Sequence, residues 1–157
     1  MITCTFFGHR DTPKKIEPIL RSTLMDLIEN KHVELFFVGN QGSFDALVRR
    51  NLKLMAFEYP HITYAVVLAY MPTDIKESDC EDYGDTIFPE GLEHTPPKYA
   101  IDKRNRWMLD NADYVLTYVT RSGGGAAKWM ELAENKGKNV INLADIAPQN
   151  TSCTNSI

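Results

Sequence analysis

Apolar and polar positions along this chain switch repeatedly between a strand-like and a helix-like rhythm. Residues 2–7 form a β-rich run that ends at Gly8. A helix is predicted next. Thr12-Pro13 offers a cap with proline at the first helical position, and Pro18 offers a second start. The helix therefore begins between Pro13 and Pro18 and runs to about Asn30, with Ile16, Leu20, Leu24, Leu27 and Ile28 on one face. Residues 33–38 are a second strand, followed by Gly39-Asn40-Gln41-Gly42. Ser43 is positioned to cap a helix from Phe44 to about Glu58, in which Phe44, Leu47, Val48, Leu52, Met55 and Ala56 recur at helical spacing. Residues 62–70 are almost continuously apolar, as in a strand buried on both faces.

The rhythm then breaks. Residues 71–97 are acidic and turn-rich, with a short strand suggested at 86–88. A helix is predicted from about Pro97 to Asn111, a strand over 113–119, a helix over 126–135 opened by three glycines, and a last strand over 139–143. Residues 147–157 are polar and predicted to be a disordered tail. Strands alternating with helices imply an α/β, Rossmann-like, doubly wound three-layer sandwich with a mostly parallel sheet, in one domain over residues 1–146.

Composition narrows the function classes. The chain has 157 residues, enough for one domain with a sizeable core. Its formal net charge of −4 argues against a broad electrostatic footprint for nucleic acid, although a local basic pocket remains compatible with it. No apolar run approaches the roughly 18–20 residues that span a bilayer, so no membrane partner is expected. Residues 1–7 lack the basic start and cleavage site of a signal peptide, so a cytoplasmic location is expected. Cys4, Cys80 and Cys153 are widely spaced and suggest neither a disulfide framework nor zinc, and Cys4 reads as a small buried apolar residue. Asp74, Glu77, Asp79, Glu81, Asp82 and Asp85 do not follow calcium-loop spacing and read as a solvated loop. No metal and no cofactor are expected.

In a doubly wound sheet, ligands bind beyond the carboxyl ends of the strands, where strand order reverses. Three segments leave such ends. In Gly8-His9-Arg10-Asp11, the glycine permits close approach to the backbone and Arg10 can grip a phosphate; the alternative is an ordinary polar turn. His9 is the one histidine at a predicted strand end, whereas His32, His61 and His94 read as surface or turn residues. Gly39-Asn40-Gln41-Gly42 leads into a helix whose first turn carries Asp45. That carboxylate would repel phosphate. It suits ribose hydroxyls or backbone N–H groups, or it simply favours the helix start. Arg121-Ser122-Gly123-Gly124-Gly125 is a flexible loop or a surface for a closely approaching ligand. None of the three matches the dinucleotide fingerprint or the P-loop. On the helix before the fifth core strand, Arg104 lies one turn from Met108 and reaches the strand ends if Met108 faces the core. Arg106 reads as a solvated charge and Trp107 as a core or interface residue.

Over roughly residues 2–143 the chain resembles the SLOG superfamily, most closely its small YpsA-like branch. That superfamily also holds the LOG phosphoribohydrolases and the Rossmann core of the DNA-processing protein DprA. The resemblance is carried by Phe7-Gly8-His9-Arg10, by Gly39-Asn40-Gln41-Gly42-Ser43-Phe44-Asp45, by Tyr59-Pro60-His61-Ile62 with Pro72, by Arg104 and Met108 with Asp113, and by Gly124-Gly125 with Glu131. It departs in the phosphate loop, where Gly123 replaces a proline and Ala127-Lys128 replaces a Gly-Thr pair. The resemblance implies a nucleotide or a ligand derived from NAD or ADP-ribose, bound by a sensor or sequestering protein. Its ligand residues would be Gly8, His9, Arg10, Gly39, Asn40, Gln41, Gly42, Asp45, Gly123, Gly124 and Gly125. The alternative it implies is hydrolysis of the N-glycosidic bond of a nucleoside monophosphate, with Arg104 and Glu131 as catalytic residues. DprA-like nucleic-acid binding is the third implication, and the net charge weighs against it. The superfamily also implies a homodimer or higher homo-oligomer. These scattered residues should meet in one cleft.

Overall fold

A computed structural model of the chain describes residues 1–70 and 85–146. The predicted tail, most of the acidic stretch, Pro72, Cys80 and Cys153 lie outside the described residues. Six strands form one sheet: β1 (Ile2–Gly8), β2 (Val33–Val38), β3 (Thr63–Val67), β4 (Asp85–Ile87), β5 (Tyr114–Tyr118) and β6 (Asn139–Asn142). Four helices cover it: α1 (Glu17–Glu29), α2 (Gly42–Glu58), α3 (Pro97–Asp110) and α4 (Gly125–Asn135). The spatial order is β4-β3-β2-β1-β5-β6, and every pairing is parallel. The chain thus builds outward from β1 to β4, returns through α3 to the other side of β1, and builds outward again. The reversal of strand order falls between β1 and β5.

Two cores form because successive strand residues face opposite sides of the sheet. Phe6 and Phe36 belong to the core under α1 and α2, where their rings stack 6.0 Å apart. Their neighbours Phe7 and Phe37 belong to the core under α3 and α4. There Phe7 stacks on Trp129 at 5.7 Å and Phe37 meets Trp107 edge-on at 5.1 Å. The helical faces read from the sequence, including Leu20, Leu24 and Leu27 on α1 and Phe44, Val48 and Leu52 on α2, are buried. Trp107 is a core residue, half-buried against Phe37.

Two expected helix caps are not made, although α1 starts inside its predicted window. α1 begins at Glu17, after a 3-10 turn at Lys14–Ile16, and Pro18 lies in its first turn. Thr12 does not cap it: its hydroxyl donates to the His9 carbonyl at 2.6 Å and closes the turn after β1. α2 begins at Gly42, so Ser43 lies inside the helix and not at its cap. The Ser43 N–H donates to the Arg10 carbonyl at 2.8 Å, which locks the α2 start to the end of β1. Gly42 has φ of +86°, and a Cβ there would fall 2.9 Å from the Arg10 Cα, so glycine is required by both conformation and space.

Gly8 is needed for packing as well. It is the last residue of β1, and a Cβ on it would lie 2.3 Å from the ring of Phe44, which is itself buried. Gly8→Ala is expected to destabilise the protein by about 1–3 kcal/mol, the usual cost of overpacking a filled core. Adding Phe44→Leu should recover part of that loss. Urea denaturation of the single and double variants checks both; a Gly8→Ala protein as stable as wild type would contradict the packing described.

Candidate functional site

The C-terminal rim of the sheet carries a cleft of about 420 Å³, next to the β1/β5 reversal. Its size falls in the range of small-molecule sites, roughly 300–1,000 Å³. Gly8, His9, Arg10, Gln41, Asp45, Arg104, Gly123, Gly124 and Gly125 all line it. Three predicted ligand residues, Gly39, Asn40 and Gly42, do not line it, although they build its wall. Glu131 is also absent from the lining and is exposed. The phase of α4 explains this. Trp129 and Ala133 are buried, and Glu131 stands two residues from each, roughly 200° round the helix on the opposite side.

The wall is held by buried charge. Arg104, only 2% exposed, donates from Nη1 to the Val67 carbonyl at the end of β3 (3.0 Å) and to Asn40 Oδ1 (3.5 Å). Its Nε donates to Asn105 Oδ1 at 2.8 Å. Met108 one turn on is buried, so the helical phase that would bring Arg104 to the strand ends is the one adopted. Asp45 Oδ2 accepts the Gln41 N–H at 3.0 Å. Burial pushes this carboxyl above the ordinary range, while the Arg104 charge and the Gln41 N–H oppose the shift. Burial likewise lowers the Arg104 guanidinium, against the attraction of Asp45, yet an arginine keeps its proton. Gly39 makes this arrangement fit, because a Cβ there would stand 2.7 Å from Asp45 Oδ2 and 2.8 Å from Arg104 Nη1. The Gly39 carbonyl accepts from Arg49 Nη1 at 3.1 Å.

The opposite wall is the β5–α4 loop, tethered at two successive residues. The Val119 backbone exchanges hydrogen bonds with the Asn142 side chain, both at 3.0 Å. The Thr120 N–H donates to His9 Nε2 at 3.0 Å. Beyond the tethers the glycines are open: a Cβ added at Gly123, Gly124 or Gly125 would meet nothing within 4 Å. Gly124 occupies the cap of α4 at φ +97°, with no side chain bonded to the first-turn N–H groups. Those N–H groups face whatever enters.

The cleft's charge is uneven. Arg10, Arg104, Arg121 and Lys128 line it against Asp45 and Asp102. Arg121 pairs with Asp11 and Lys128 with Asp102, both at 2.9 Å. The Arg10 side chain is exposed, and its guanidinium forms no hydrogen bond or ion pair with any described residue. Arg106, as expected, is exposed, its guanidinium 5.7 Å from the centre of the Trp129 ring. Asp102, Lys128 and Asn142 were not among the candidates. Only the pairing of α3 with α4 and of β5 with β6 reveals them. Among the described residues no three His, Cys, Asp or Glu side chains converge as a metal site, and no helix is long and apolar enough to cross a membrane.

These features define a Rossmann-like α/β protein with a rim cleft at its topological switch point. No family model matches the chain, and no curated protein matches it. Among solved structures it is similar to DNA processing protein A (DprA) from Streptococcus pneumoniae, with a TM-score of 0.65 and 13% identity over 89% of this chain and 49% of that one. It is also similar to DNA processing protein A from Helicobacter pylori, whose structure describes a single-stranded DNA binding mode. There the TM-score is 0.62 at 13% identity, over 88% of this chain and 63% of that one. The chain matches less than two thirds of the length of either protein. What it shares with them is the fold, a Rossmann-like α/β core.

His9 supplies a pH test of the geometry. Because Nε2 accepts the Thr120 N–H, the neutral ring carries its proton on Nδ1. Burial holds its pKa below the ordinary 6.5; Arg121 acts in the same direction and Asp11 against it. The unfolded chain therefore takes up the proton first. The contribution of His9 to stability is complete above about pH 6.5 and falls as pH drops toward the lower native value. Heteronuclear NMR titration should show an unprotonated Nε2 at neutral pH and a midpoint below 6.5. A midpoint above 6.5 would contradict the Thr120 contact.

Proposed function

We propose that this chain is a SLOG-type binding protein. It holds a nucleotide, or a ligand derived from NAD or ADP-ribose, in the rim cleft of a domain formed by residues 1–146. The observation that carries this reading is the open glycine turn at the start of α4, which shares a cleft with the unpaired Arg10. An anionic group set between them would gain main-chain N–H donors on one side and a two-pronged guanidinium on the other. Asp45 Oδ2 accepts the Gln41 N–H and the nearby Arg104 charge offsets the carboxylate, which weakens its repulsion of that group.

The site favours binding over hydrolysis of an N-glycosidic bond. Glu131 is exposed and outside the cleft lining, while the hydrogen bonds of Arg104 go to Val67, Asn40 and Asn105. A small ligand also accounts for the charge better than a DNA strand does. Four cations line the cleft against two carboxylates, whereas the chain as a whole carries −4.

Calorimetry with a panel of nucleoside monophosphates, and with a single-stranded oligonucleotide for comparison, tests the reading. At least one nucleotide should bind, and Arg10→Ala should weaken it by about 1.5–3 kcal/mol, the scale of a hydrogen bond to a charged group. Glu131→Gln should bind as wild type does, and chromatography should detect no free base after incubation. Base release that depends on Glu131, or oligonucleotide binding without nucleotide binding, would overturn this assignment.

A further inference from the structure

Four cations line the cleft, and they differ in what they can still do. The Arg10 guanidinium is free of any partner among the described residues. Arg104 is buried and committed to β3 and the β2 loop. Arg121 is paired with Asp11, and that pair joins the same two loops that the His9–Thr120 bond ties together. Lys128, on α4, is paired with Asp102, on α3, and both residues line the cleft. About half of each side chain is exposed, 51% for Lys128 and 47% for Asp102, so the pair is weak by its solvation.

A second bridge repeats the first on the same two helices, which also share one apolar core through Met108, Leu109, Trp129 and Ala133. Lys136 pairs with Asp110 at 2.5 Å. Each of these residues lies eight positions beyond its counterpart in the Lys128–Asp102 pair. Eight residues span about 12 Å of helix, so the same two helices are stapled again farther along, away from the cleft. Neither Lys136 nor Asp110 lines the cleft. Lys128 can therefore leave Asp102 while α3 and α4 stay joined. Its charge is a compact point on a flexible four-carbon stem, suited to changing partners in place.

We propose that Lys128 is a specificity-determining residue that exchanges Asp102 for a second phosphate of the ligand, so that the cleft prefers nucleoside diphosphates to the corresponding monophosphates. This rests on the reading of the cleft as a nucleotide site. A monophosphate satisfies Arg10 and leaves the Lys128–Asp102 bridge closed. A diphosphate presents another anion, and Lys128 trades a solvated carboxylate for it inside the cleft, where the field is stronger than in water.

Calorimetry on the full chain with matched pairs (AMP and ADP, GMP and GDP, CMP and CDP, UMP and UDP) tests this, with inorganic pyrophosphate as a further ligand. In wild type the diphosphate of the bound pair should bind about tenfold tighter, the scale of one added charge-assisted hydrogen bond. Lys128→Gln should bring the two within about twofold of each other by weakening only the diphosphate, whereas Lys136→Gln should keep the wild-type ratio. Asp102→Asn, which removes the competing carboxylate, should raise the ratio. Equal binding of both members in wild type, or a ratio that survives Lys128→Gln, would overturn the role of Lys128 and leave the nucleotide site standing. Pyrophosphate binding as tightly as the diphosphate nucleotide would overturn the preference for a nucleoside diphosphate. Failure of every nucleotide to bind would remove the nucleotide reading itself.

Discussion

The architecture of the cleft depends on burying Arg104 beside Asp45. α3 must carry the chain from the β4 edge back over the sheet to β5, and Arg104 fixes where it lands. Its guanidinium joins α3 to the β3 terminus and to Asn40, while Asp45, at the start of α2, turns back to hold Gln41. Taking such charges out of water is costly unless an opposite charge lies near and their hydrogen bonds are filled. The protein meets this condition with main-chain groups and with the space left at Gly39. The same network turns four separate segments into one rigid wall. The opposite wall, by contrast, is held at two points and is otherwise open glycine backbone.

Much of the fold was legible in the sequence because the two periods are clean. Residues 2–7 and 33–38 show strand runs, and the spacing of Leu20, Leu24 and Leu27 shows a helix with one buried side. The helix caps were harder to read. Thr12 and Ser43 have the chemistry of caps, but the Thr12 hydroxyl closes the turn after β1 and the Ser43 main chain is bonded to that same turn, a tertiary demand that no local rule registers. Part of the site was legible too. Glycines and charged residues at strand ends pointed to Gly8, Arg10 and the glycine triplet. What spacing could not show was how their work divides. Gly8, Gly39 and Gly42 make room for protein, whereas the three at 123–125 make room for nothing that belongs to the protein. Glu131 was placed by motif spacing, and helical phase puts it on the outer side. Lys128 and Asp102 meet only because α3 and α4 cover the same sheet face.

Charge distribution and net charge describe different things in this molecule. The surplus of carboxylates over basic groups belongs to the chain as a whole. Within the cleft the balance is reversed, and most of its cations have an assigned counter-charge: Asp45 near Arg104, Asp11 with Arg121, Asp102 with Lys128. Such a site resists indiscriminate attraction of polyanions and still presents a strong local field to a small one.

The parallel sheet also gives the molecule two unlike rims. Every strand ends on the side of the cleft, so the short returns at 30–32, 59–62, 111–113 and 136–138 all fall on the other rim, beneath the strand beginnings. Most of their residues are exposed and none lines the cleft. Sequence can therefore diversify on that rim, through insertions, fused modules or relocated chain termini, without redrawing the ligand chemistry. An evolving lineage could acquire new couplings there while one recognition surface is kept intact.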